Sequence, residues 1–107
     1  MDFEIKNIKE NIVEVARQIG YLIIDTKENG EYNLVRRLGA DNYPRFHIYL
    51  KSFGAAQDKL NYEFSLHLDQ KQPSYESKGA HAHNGEYFGP VLNEEVGRIK
   101  QIFTQWV

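Results

Sequence analysis

Between Arg45 and Asp69 apolar and polar residues alternate in two successive runs, a period of two that only extended backbone can use. In the first run Phe46, Ile48 and Leu50 alternate with Arg45, His47, Tyr49 and Lys51. In the second, Tyr62, Phe64, Leu66 and Leu68 alternate with Glu63, Ser65, His67 and Asp69. Successive side chains of a strand leave on opposite sides, so each run sends its apolar members to one face and its titratable members to the other. The segment Gly54–Lys59 between them is short, and short connections join antiparallel neighbours. Charge then selects a register. With Lys51 opposite Glu63, Tyr49 falls opposite Ser65, His47 opposite His67 and Arg45 opposite Asp69. Both opposite-charge pairs form, each worth about 0.2–1 kcal/mol.

The flanking segments supply the remaining elements. From Ile5 to Ile19 the apolar residues recur at intervals of three and four, which predicts an amphipathic helix ended by Gly20. Two β-rich runs follow, near residues 21–26 and 31–38, around the hairpin signal Asn29-Gly30. Residues 70–89 carry neither period and read as a long loop. Pro90 opens a final helix whose apolar stripe includes Leu92, Val96, Ile99 and Phe103. The expectation is a single α+β domain over residues 1–107: α-β-β-β-β-α, a four-stranded antiparallel meander with two helices packed on one face and the other face open. Asn33, Val35 and Arg37 extend that open face. Arg36 consequently points toward the helices, a conflict that a bulge or a position at the sheet margin would remove.

Several function classes are disfavoured at this level. The chain has no cysteine, which excludes disulfides and thiolate chemistry and leaves His, Asp and Glu as metal ligands. The formal net charge of −2 gives no global attraction to phosphate backbones. The start, MDFEIKNIKE, lacks the basic and then apolar pattern of a secretory leader, and no apolar run approaches the roughly 20 residues of a membrane span. A cytoplasmic, soluble protein without a membrane partner is expected. There is no G-x-S-x-G turn, no H-E-x-x-H helix and no Gly-rich phosphate loop. The helix–sheet–helix order resembles that of a double-stranded RNA-binding domain, but Asn93, Glu94 and Glu95 stand where such domains place basic residues, so membership is not claimed.

The candidate residues concentrate in the second half of the chain. His47, His67 and Asp69 share the open face and combine two imidazoles, which titrate near neutrality, with a carboxylate that can orient them; they are the catalytic candidates. His81-Ala82-His83 with Glu86 has the ligand types and alternate spacing of a divalent-metal site. Arg37, Arg45, Tyr49, Lys51, Lys71 and Tyr75 form a basic, aromatic binding set suited to a protein or nucleic-acid partner. No cofactor is predicted, and a divalent metal is the one that the side chains could hold. The leading expectation is a binding module that uses the polar sheet face and the 70–89 segment. A metal-dependent or His-based hydrolase is the first alternative, and a homodimeric structural subunit, as against a monomer, is the second.

Overall fold

The computed structural model describes residues 1–70 and 89–104. Along the chain the elements are β1 (Asp2–Ile8), α1 (Ile12–Ile19), β2 (Leu22–Thr26), β3 (Tyr32–Arg37), β4 (Arg45–Ala56), β5 (Lys59–Asp69) and α2 (Gly89–Thr104). The strands form one antiparallel sheet in the order β1-β5-β4-β3-β2. The fold is therefore α+β with two helices, as expected, but the sheet has five strands and not four.

The extra strand comes from residues read as the first half of a helix. Phe3 and Ile5 keep the period of two, pairing with Phe64 and Tyr62 on β5. Between Ile5 and Ile8 the register then shifts. Asn7 occupies the left-handed region at φ 63°, the shift lets Ile8 bury as well, and the resulting spacing of three imitates a helical stripe. Asn7 N–H donates to Asn61 Oδ1 at 3.0 Å. A matching irregularity lies on β4 at Gly54, φ 63°, where an added Cβ would stand 3.1 Å from Asn61 Nδ2. Glycine there leaves room for the Asn61 amide that ties the two irregularities together. The helix proper starts only at Ile12, where the Asn11 side chain accepts from Glu14 N–H at 2.9 Å, and it ends at Gly20 in the left-handed conformation.

Alternation along β4 and β5 sorts the side chains as their pattern requires. Ile48, Leu50, Tyr62, Phe64 and Leu66 are fully buried beneath Val15 and Ile19 of α1 and Ile99 of α2, so both helices cover the same face. Each such large side chain contributes about 1.5–3 kcal/mol through burial. The β4–β5 register is the one that the charges select: Arg45 opposite Asp69, His47 opposite His67, Tyr49 opposite Ser65 and Lys51 opposite Glu63.

Arg36 does face the helices, and no bulge intervenes, because β3 and β4 pair without a break from Tyr32 to Arg37. Its guanidinium meets Glu95 of α2, with Nη2 at 2.9 Å from Oε1 and Nε at 3.3 Å from Oε2. Arg98 donates to the same carboxylate at 2.8 and 2.9 Å, and the Tyr21 hydroxyl at 2.6 Å. Burial pushes the Glu95 carboxyl up, but the hydrogen bonds from Arg98, Arg36 and Tyr21 outweigh it and hold the group below its ordinary range. Glu95, only 3% exposed, is thus an ionised carboxylate shared by three donors.

Candidate functional site

The second sheet face forms a lattice whose rows run across the strands. The central row is Asp2, Ser65, Tyr49, Asn33 and Asp25, on β1, β5, β4, β3 and β2. The next contains His67, His47, Val35 and Leu22, and the row after it Asp69, Arg45 and Arg37. Lys51 lies on the opposite side of the central row, facing Glu63, which in turn faces Glu4. This face is less open than alternation alone implies: the side chains of His47, Arg45 and Asp69 are all largely buried, that of His47 to 14% exposure.

Three aromatic rings hold its centre. Tyr49 lies 4.6 Å from the His47 ring, tilted by 32°, and 5.5 Å from the His67 ring, nearly edge-on. Burial, with Asp69 and Glu31 adding, raises the Tyr49 hydroxyl above its ordinary range. His47 Nδ1 is 3.1 Å from Asp69 Oδ2, an oxygen that also accepts a long bond of 3.5 Å from Arg45 Nε. Burial pushes Asp69 up, but the His47 bond and the charges of His47 and Arg45 win and lower it. His67 is shifted down from 6.5, first by burial. Its Nε2 lies 3.2 Å from Ser65 Oγ, which donates to Asp2 Oδ1 at 2.8 Å.

Two polar atoms of this lattice are buried without a hydrogen-bond partner among the described residues: Asn33 Oδ1 and His47 Nε2. Asn33 Nδ2 donates to Asp25 Oδ2 at 3.4 Å, which fixes the orientation of the amide and leaves its oxygen unused. The tautomer of an uncharged His47 ring that satisfies the Asp69 carboxylate carries its proton on Nδ1 and presents Nε2 as an acceptor. Two unused acceptors therefore adjoin Tyr49, Asn33 directly across the strand pair and His47 two residues before it.

A groove of about 590 Å³ opens on the same face toward the ends of β2 and β3. It is lined by Leu22, Ile24, Val35, Arg37, Asn42 and Arg45, together with Gly20, Gly39 and Arg36. Arg45 stacks on Tyr43 at 4.5 Å, and among the described residues Arg37 makes only long contacts, 3.5 Å to Ala40 O and 3.4 Å to Asn42 Oδ1. A larger groove, about 850 Å³, lies on the helix side between α2 and the strand ends, where Arg36 and Arg98 both bind the Glu95 carboxylate and Glu94 also joins the lining.

The structure thus brings His47, His67, Asp69, Arg45, Tyr49 and Arg37 onto one face, with Lys51 a row away. Lys71, Tyr75, His81, His83 and Glu86 lie outside the described residues. Among the described residues no set of three or more His, Cys, Asp or Glu side chains is arranged to hold a metal ion. Also among them, no helix is long and apolar enough to cross a membrane. Reading the sequence missed the role of Leu22, which is 67% exposed beside Val35, because its place on this face follows from the β2–β3 pairing and not from a local pattern. Comparison with family models, curated proteins and solved structures gave no significant match.

Proposed function

We propose that this protein is a binding module and that its recognition surface is the polar sheet face centred on Tyr49. The observation that carries this reading is the pair of buried, unpartnered acceptors, Asn33 Oδ1 and His47 Nε2, adjoining one aromatic ring. A buried acceptor without a donor costs about 1–3 kcal/mol, so two of them on one face are expensive unless something supplies N–H or O–H groups. A partner presenting such donors recovers that cost on binding. Side-chain rotation of Tyr49, a change common at interfaces, gives it access. NMR titration of the ¹⁵N-labelled protein with short peptides and with RNA and DNA oligonucleotides tests the reading. Shifts centred on Asn33, His47 and Tyr49 are expected; no change at these residues at millimolar ligand, or shifts confined to α1 and α2, overturns it.

A second reading is His-based hydrolysis on the same face, favoured by the Asp69–His47 contact. A carboxylate on Nδ1 and an unoccupied Nε2 is the arrangement of a general base that would take a proton from water. Turnover of activated esters that is abolished in His47→Gln and in Asp69→Asn, with folding intact, supports it. Equal background rates in all three proteins remove it.

A further inference from the structure

Arg37 and Arg45 occupy directly opposed positions on β3 and β4. Like charges directly across a strand pair repel, and such a placement is costly unless a counter-charge lies between or beside them. Asp69 stands beside Arg45 on the far side, at a long 3.5 Å and through Nε alone, and it is shared with His47. Among the described residues Arg37 has no carboxylate partner, and its two contacts go to neutral oxygens. The row therefore reads one negative and two positive charges, and the uncompensated one borders the groove of about 590 Å³. Beside its arginines that groove has apolar lining residues: Val35 is buried, and Leu22 and Ile24 are exposed on the outer strand β2.

We infer that this groove binds a carboxylate from an acidic, partly apolar segment of a protein partner, held between the Arg37 and Arg45 guanidinium groups. This rests on the binding-module reading and names the chemistry of its ligand. Guanidinium groups grip carboxylates through paired N–H donors, and an apolar neighbour of the acid would cover Leu22 and Ile24. The same segment supplies main-chain N–H groups for the two acceptors beside Tyr49. A nucleic-acid strand fits less well, because successive phosphates would run past Asp25, Asp69, Asp2, Glu4 and Glu63, which share the face.

The test is calorimetric titration with three probes: a short peptide containing Glu next to Leu, the same peptide with Gln for Glu, and inorganic phosphate. About tenfold tighter binding of the Glu peptide than of the Gln peptide is expected, weakening as salt rises. In Arg37→Gln that preference falls to about twofold or less while the Gln peptide binds as before; Arg37→Lys, which keeps charge but not the fork, retains part of it. Thermal unfolding verifies that each variant is folded. Equal affinity for both peptides in the wild type overturns the carboxylate assignment and leaves the module reading standing. Phosphate or an oligonucleotide binding more tightly than the Glu peptide also overturns it. No binding by any probe, with no NMR response on this face, removes both readings.

Discussion

The Tyr21 hydroxyl donates to Glu95 Oε2 at 2.6 Å, although the two residues belong to opposite ends of the chain. Arg36 and Arg98 complete the shell of this buried carboxylate, so one side chain joins the start of β2, the strand β3 and the helix α2. Replacing it leaves three donors without an acceptor, and only the two arginines, each about a third exposed, can turn to water. Glu95→Ala is expected to destabilise the fold by roughly 2–4 kcal/mol, and Arg36→Met by about 1 kcal/mol, since it leaves Glu95 with two donors. Urea unfolding checks both. A Glu95→Ala midpoint indistinguishable from that of the wild type would contradict the arrangement.

The left-handed conformation of Asn7 sets the shift in β1. Its side chain is exposed and only its main-chain N–H is used in the contact with Asn61. Asn7→Gly is therefore expected to be neutral or slightly stabilising, whereas Asn7→Val costs about 1–2 kcal/mol because a branched Cβ resists positive φ. Chemical denaturation of the two variants decides it; equal stability would mean that no bulge is present.

His67 makes stability depend on pH in a defined direction. Its folded pKa lies below 6.5, so as pH falls through 6.5 the unfolded chain takes up a proton that the folded protein refuses. Stability is lost on acidification as pH falls through 6.5, and the loss continues until the folded group also titrates. Asp69 acts in the same direction at lower pH: its stabilisation, present above its unfolded pKa of 3.8, disappears as pH drops through the lowered folded value. In His67→Gln the loss nearer neutrality should flatten while the acid limb persists. An unchanged profile would remove His67 as its source.

Glu63 lies between Lys51 and Glu4, one favourable neighbour and one unfavourable. Glu4→Lys converts the second into a favourable pair on an exposed surface, and a gain of about 0.2–1 kcal/mol is expected at low salt, shrinking toward zero in about 1 M salt. Unfolding curves at the two ionic strengths read it; a loss of stability at low salt would contradict the β1–β5 register.

How much of this is legible without coordinates depends on the kind of signal. The β4–β5 pairing is legible because a slip of one residue would turn Phe46 and Phe64 outward, and because Arg45, Asp69, Lys51 and Glu63 discriminate among the remaining registers. The first strand is hidden because a bulge at Asn7 converts a period of two into a step of three, which local pattern cannot tell from a helix. Arg36 signals its own exception, an interior charge in an unbroken strand, but its acceptor lies 59 residues away and nothing local names it. The candidate site is legible as a list of side chains sharing a face. Its groove is not, since Leu22 joins Arg37 and Arg45 only through the order in which three strands pair.

The strand order has a mechanical consequence. β1 and β2 are adjacent along the chain yet form the two outer margins of the sheet, so α1 must carry the chain from one side to the other. Five strands span about 19 Å between outer axes, and an eight-residue helix covers about 12 Å of that distance. α1 therefore works as a cross-tie: bending the sheet would stretch its two short connections, and the hinge freedom usual between outermost strands is taken away. The polar face on the reverse side is in this way given a stiff backing, against which a ligand can press without flattening the twist.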